Sequence, residues 1–437
     1  MLIYACLTLF SVSIKRYSLI IIIIILIYYL NTERYFMERR DFFKKAIVTA
    51  GAAAVGTSTL EAGETTQPID NRKVSQVAFP EKRPLIMYSD RPPLLETPRD
   101  VFTSVLTPND QFFVRWHMPD IPTHIDPDTY TIHVNGLVKN ELHISLNDLK
   151  TKFEQVEVTA VLQCGGNSRS AFKPIAGGIQ WGSGAMGCAT WKGVRLKDIL
   201  DQAGLQKDAQ WIGFNGSERA AYYETPEFVR ELELSELDDH VILAYEMNGE
   251  DLPYLNGYPL RLVLPGYYSD SWVKMLSNIT VTNEYKKLFF MDVAYRVPDN
   301  ETESETPEKR FPKTKPIKKM NVKSVIGYPT KDSVVNHKSH VVVRGVAWDD
   351  GHGIQDVLIS TDGGKTWDKA ILDNGDLGRY AYRAFRYPYK PTTFGKVTIM
   401  AKAINKIGEE QPFAKDIKWN HGGYKYNGID EVTVEVI

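Results

Sequence analysis

Cysteine is scarce in this chain, with only Cys6, Cys164 and Cys188 among 437 residues. Three thiols cannot supply the four thiolates of an ordinary iron–sulfur site. No Cys-x-x-Cys-His occurs, so no c-type haem is attached. Cys164 and Cys188 could pair, but two cysteines make no disulfide framework. Excess positive charge is also missing. The formal net charge is -2, which offers no basic footprint for nucleic acid. Long apolar runs are few. The longest, residues 18–30, has 13 residues, short of the roughly 20 that a membrane-spanning helix needs.

What remains is an ordinary globular mixture, 43% hydrophobic and 24% charged, long enough for two or three domains. Residues 1–62 are expected to be an address rather than part of the fold. Arg39-Arg40 stands just before Phe42-Phe43, and a weakly apolar Ala/Gly-rich run ends near Ala62. This has the form of a twin-arginine export signal over 37–62. Met37 is then the expected natural start, with residues 1–36 an upstream extension; an amino-terminal anchor is the alternative.

Residues 63–100, rich in Pro, Thr and charge, read as an irregular lead-in. A mixed, strand-dominated domain is expected over 101–297. In it, residues 153–164 form a strand ending at Cys164, residues 194–205 a helix stopped by Gly204, and residues 259–266 a strand. Residues 298–319 carry four prolines, many charges and almost nothing apolar, as a linker does. Residues 320–437 alternate apolar and polar, with Asp362-Gly363-Gly364 between two strands, as in a small all-β sandwich. The fold class is therefore α+β, a mixed and β-rich domain followed by an immunoglobulin-like sandwich.

The chemistry concentrates at VLQCGGNSRSAF, 161–172. A strand delivers Cys164 to a glycine-rich turn, and Arg169 follows. Cationic neighbours favour the metal-binding thiolate. One thiolate is too few for zinc, but suffices where an organic cofactor brings sulfur ligands of its own. Gly182, Gly184 and Gly187 spell G-x-G-x-x-G. No buried strand precedes it and no helix follows, so a dinucleotide site is rejected. Cys188 reads as a packing residue, and Asp238-Asp239 as a solvated loop.

Cys-Gly-Gly-Asn-Ser-Arg (164–169) resembles the Cys-Ala-Gly-Asn-Arg-Arg and Cys-Ser-Gly-Asn-Ser-Arg signatures of the sulfite oxidase family of molybdenum enzymes. Other likenesses follow in family order: TPNDQFFVRWH (107–117), GAMGCATWKGVRLKDIL (184–200), ILAYEMNGEDLPYLNGYPLRLVLPG (242–266), SWVKML (271–276) and AYRVPD (294–299). Together they cover about residues 75–437. The resemblance implies molybdenum with molybdopterin, held by Cys164 as the one protein ligand to the metal. It implies cofactor contacts from Phe113, Arg115, His117, Asn256, Arg261, Trp272 and Lys274. It implies a substrate site of Tyr295, Arg115, Arg169 and, reaching back from the sandwich, Arg383, with Arg386 as the fallback. The sandwich resembles the family's dimerisation domain.

Two positions depart from the family pattern. Asn256 stands where members often carry histidine, and Ser217-Glu218 where an aspartate contact is expected. The haem domain of the vertebrate enzymes has no counterpart in the sequence. The implied activity is oxidation of sulfite to sulfate in the periplasm. Electrons would pass to a separate c-type cytochrome, by a homodimer or by a heterodimer with that cytochrome. Rival expectations are the molybdenum subunit of a complex oxidising carrier-bound sulfur, a molybdenum reductase of substrates such as methionine sulfoxide, and a cofactor-free binding protein on the same fold.

Overall fold

In a computed structural model of the chain, residues 76–77, 79–300 and 303–437 are described. The export signal expected at 37–62 and the extension before it lie outside them. Among the described residues no helix is long and apolar enough to cross a membrane.

The element that sets the site is the strand Val156–Gln163. Its β-branched residues suit a pleated surface, and its last four residues are buried together because it runs into the core rather than along its edge. It pairs antiparallel with Met186–Arg195, matching Ala160 to Ala189 and Gln163 to Met186. Ile242–Met247 pairs on the far side of Met186–Arg195. Arg261–Val263 pairs in turn with Ile242–Met247, so the strand expected over 259–266 is only three residues long. The helix Leu196–Ala203 follows directly. It buries Leu196, Ile199, Leu200 and Ala203 on one face and stops at Gly204, whose φ of +71° suits a residue without a Cβ. A second, mixed sheet takes the order Val229–Glu233, Trp211–Gly216, Leu276–Thr282, Thr131–Gly136, Leu142–Ser145. Its only parallel pair is Leu276–Thr282 with Thr131–Gly136.

The lead-in, expected to be irregular, carries strands. The described part of the lead-in is an antiparallel sheet of Gln76–Val77, Leu85–Asp90, Pro93–Glu96 and Val114–Arg115. Leu85 and Leu95 are wholly buried there, so the apolar residues between the prolines build a small core with Trp116. The linker is closed at its ends by a strand pair. Arg296–Pro298 pairs with Thr314–Pro316, and Arg296 donates to Thr314 through Nε at 2.8 Å. Within this loop Glu305 is buried and accepts from the backbone N–H groups of Phe311 at 3.0 Å and His421 at 3.1 Å. Charge and proline frequency described solvation but could not show that one carboxylate would be turned inward.

The carboxy-terminal sandwich matches expectation. One sheet is ordered Lys323–Tyr328, Val341–Trp348, Arg383–Tyr389, Ile371–Leu372. The other is Val334–Val335, Asp430–Val436, Gly395–Asn405, Ile354–Ser360, Asp368–Lys369. Val343, Ile359, Phe385, Ile399 and Val434 fill the space between them. Asp362 closes the hairpin by accepting from the backbone N–H groups of Lys365 and Thr366, both at 3.0 Å.

The rejected glycine motif has an internal tenant. The buried Glu96 carboxylate accepts from the N–H groups of Gly182 at 2.8 Å and Gly184 at 2.9 Å. A Cβ on Gly184 would lie 1.9 Å from the Thr97 carbonyl oxygen. The glycines serve close packing and an internal anion, and Cys188-Ala189-Thr190-Trp191 continues as strand.

Candidate active site

At the end of Val156–Gln163 the chain turns. Cys164 N–H donates to the Ala185 carbonyl at 2.9 Å, and Asn167 Oδ1 accepts from Ala185 N–H at 3.1 Å. Ser168 takes a left-handed φ of +64°. The two glycines are needed for proximity, and their neighbours are protein. A Cβ on Gly165 would meet Ile317 Cδ1 at 2.4 Å, and one on Gly166 would meet Arg169 Nη2 at 2.4 Å. Cys164 and Cys188 are both unpaired. Cys188 is fully buried, and burial pushes its thiol up to about 12. It packs, as expected.

Cys164 lies on the wall of a narrow cleft with about 20 Å³ of free space, whose walls also include Phe113, Arg115, His117, Asn256, Arg261, Trp272, Lys274 and Tyr295. The fold thus brings eight of the residues singled out in sequence to one cavity around one sulfur. Burial pushes the Cys164 thiol up, while the Arg115 and Arg169 charges pull it down.

The cations are held by backbone oxygens. Arg261 is buried between the Trp191 and Trp272 rings, 5.1 and 5.9 Å from their centroids. It donates to the carbonyls of Asn256 at 2.7 Å and Trp272 at 3.2 Å, leaving its buried Nε without a partner. Lys274 lies 4.2 Å over the Trp116 ring and donates to the Arg115 carbonyl at 2.9 Å. Arg115 donates to the Trp116 carbonyl at 2.7 Å. Burial lowers Arg261 to about 9 and Lys274 to about 7. Desolvated cations held by neutral oxygens gain most from an anion brought to them.

Tyr295 hangs over the sulfur end with φ +59°, a strained conformation for a bulky side chain. Its hydroxyl lies 2.5 Å from His117 Nε2, and the His117 ring stacks on Phe228 with centroids 3.6 Å apart. Burial, then the charges of Arg115, Lys274 and Arg230, hold the His117 pKa well below its ordinary value. Its buried Nδ1 has no partner.

Two expected substrate groups sit elsewhere. Arg383 does not line the cleft but pairs with Asp376 at 3.4 Å, and Arg386 pairs with Asp373. Their strand lies in the sheet, and acidic neighbours in the preceding loop take up both charges. Arg169 is buried and does not line the cleft either. Its Nε donates to the Gly422 carbonyl and its Nη1 to the Ile179 carbonyl, both at 2.9 Å, and it lies 5.2 Å from the Tyr424 ring centroid. It clasps the metal loop to the sandwich and acts on Cys164 only through its field.

Several residues escaped the sequence reading. Tyr424, from the sandwich, stacks on Tyr295 with centroids 5.4 Å apart, and the next residue's N–H donates to the Gly165 carbonyl at 2.9 Å. Asp270 lines the cleft and pairs with Arg230 at 2.7 Å, both fully buried. Burial raises Asp270 to about 6 against the opposing Arg230 charge. Glu218 accepts from the backbone N–H groups of His117 at 3.3 Å and Met118 at 2.9 Å. It fixes the segment carrying His117 rather than touching the cleft wall. A buried ion pair or a loop from a distant domain leaves no local spacing in the sequence.

Buried Lys82, Lys274 and Lys323 are all lowered by burial to about 7. Between about pH 7 and 9 the unfolded chain therefore binds more protons than the folded one, and stability rises with pH. Each lysine contributes at most about 1.4 kcal/mol per pH unit. Urea midpoints of cofactor-free protein should climb across this window, and Lys274→Met should flatten the climb. A flat wild-type profile would refute the assignment.

Comparison with known proteins now bears on the site. The model of the oxidoreductase molybdopterin binding domain matches residues 117–290, and that of the Mo-co oxidoreductase dimerisation domain matches 314–436. Human mitochondrial sulfite oxidase is 33% identical over 389 residues, spanning 85% of this chain and 68% of that protein. Sulfite oxidase of Arabidopsis thaliana is 30% identical over 375 residues, spanning 79% of this chain and 92% of that protein. The chain belongs to the sulfite oxidase family. It is a molybdopterin oxidoreductase, and its cofactor is molybdenum with molybdopterin. The sulfane dehydrogenase SoxCD from Paracoccus pantotrophus shares the fold, with a TM-score of 0.69 and 24% identity over 88% of this chain and 94% of that one. The chain spans about two thirds of the mammalian relatives' length. In this family setting the chemistry of the lining suits its cofactor: one thiol, three basic side chains, and the unpartnered Arg261 Nε and His117 Nδ1.

Proposed function

We propose that this sulfite oxidase family member oxidises sulfite to sulfate in the periplasm. It would arrive there folded by the twin-arginine route and pass electrons to a separate c-type cytochrome. The observation that carries the reading is the convergence of one thiol and three cations on a single cleft. The bound molybdenum centre supplies two-electron oxygen-transfer chemistry. Sulfite and water become sulfate, two protons and two electrons. Cys164 would hold the metal, and Arg261, Lys274 and Asn256 the anionic part of the pterin. Arg115 draws the sulfite dianion in with a fixed charge that needs no reorganisation, its fork suited to an oxyanion. Tyr295 presents its hydroxyl to the substrate, oriented by the hydrogen bond to His117. Arg169 holds the loop that carries Cys164.

The twin-arginine pattern read at 37–62 supports the periplasm. A homodimer through the sandwich, or a heterodimer with the cytochrome, completes the proposal. Stopped-flow mixing of the purified holoenzyme with sulfite and a periplasmic c-type cytochrome should reduce the haem within the turnover time. Rapid oxygen consumption without haem reduction would overturn the acceptor. Failure to turn over free sulfite would favour carrier-bound sulfur as the substrate.

A further inference from the structure

Lys82 lies in the lead-in, outside both matched family segments, yet it is buried against the cleft wall. Its ammonium donates to the carbonyls of Asn109 at 2.5 Å and Phe112 at 3.2 Å, and to Asn256 Oδ1 at 2.5 Å. Three oxygens meet Nζ, one for each N–H of an ammonium, and up to about pH 7, where burial sets its pKa, this group is donor-only. It therefore decides which way the Asn256 amide faces: the oxygen must point at Lys82, and the nitrogen away from it. Asn256 Nδ2 accordingly donates to the Phe113 carbonyl at 3.0 Å, and both residues line the cleft. Asn256 also holds Arg261 through its backbone carbonyl. The neighbouring Glu81, at φ +63°, accepts from Tyr254 N–H at 2.8 Å. The lead-in thus grips the Tyr254–Asn256 turn at two points.

We infer that Lys82 is a positioning residue for cofactor retention: it locks the Asn256 amide with its N–H side toward the cleft, where it serves the anionic part of the bound pterin. The inference rests on the proposed placement of the cofactor. An amide reads an anion only through its N–H side, and without the ammonium only the Phe113 carbonyl still favours that orientation.

The test uses full-length enzyme purified from a host that makes the cofactor, with molybdenum and pterin measured per chain. Lys82→Met should lower pterin content at least fivefold in protein whose circular dichroism and cofactor-free melting temperature stay near wild type. Lys82→Arg, still donor-only, should restore most of it. Wild-type pterin content in folded Lys82→Met overturns the inference and leaves the proposed function standing. If Lys82→Met does not fold, Asn256→Asp decides: it keeps an acceptor for Lys82 but offers the cleft no N–H. Loss of pterin supports the inference, and full retention overturns it. A wild-type protein without pterin or molybdenum defeats the cofactor placement itself, and the inference with it.

Discussion

Replacing Cys164 with serine is expected to abolish sulfite turnover, lowering kcat by at least ~10³-fold, about 4 kcal/mol of activation free energy. A serine hydroxyl cannot offer the soft thiolate that binds the metal. The exchange is nearly isosteric, and the loop depends on the Cys164 backbone N–H and the Asn167 side-chain oxygen, both bonded to Ala185, which serine leaves intact. The cations that would hold the pterin are untouched. Pterin content and melting temperature should therefore stay near wild type, while thiolate-to-metal absorption disappears. A Cys164→Ser enzyme with more than a tenth of wild-type kcat would remove the sulfur from its assigned place.

The second large effect is expected at Arg115. It is the one arginine on the cleft wall that is neither buried between tryptophans nor committed to the metal loop. Removing a charge-assisted hydrogen bond costs about 1.5–3 kcal/mol, so Arg115→Gln should lower kcat/KM for sulfite ~10–150-fold, mostly through KM. Arg169→Gln should differ in kind. It leaves the Gly422 and Ile179 carbonyls without their donor, at about 1–3 kcal/mol each. Its signature is lost stability, with KM changing less than in Arg115→Gln. Equal KM for wild type and Arg115→Gln would place the substrate anion elsewhere.

The contrast between these arginines marks how far a motif can be read. Arg169 follows Cys164 by five residues, which makes it look like a partner of the same ligand. A left-handed Ser168 and a short helical turn swing its guanidinium instead onto a carbonyl 253 residues away. Arg383 failed for a related reason. The family resemblance made it a substrate arginine reaching back from the sandwich, but its strand lies in the sandwich sheet, where Asp376 pairs with it. The sandwich reaches the metal loop through residues 422–425, which carry no charge pattern that would draw notice.

The sequence alone determined the β-rich class, the sandwich and the cysteine that ends a buried strand, and its family resemblance picked out Phe113, Arg115, His117, Asn256, Arg261, Trp272, Lys274 and Tyr295, which the fold brings to one cleft. These follow from local periodicity, or from motifs in which neighbours along the chain are neighbours in space. Tertiary structure alone decided that the described part of the lead-in forms strands and the linker's ends pair, that Glu96 fills the glycine loop, and that Lys82, Asp270, Arg230 and Tyr424 gather about the site. Burial of a charge and the orientation of an amide depend on atoms brought together from separate segments, 86 residues apart for Glu96 and Gly182 and 174 for Lys82 and Asn256, and no spacing within one segment encodes them.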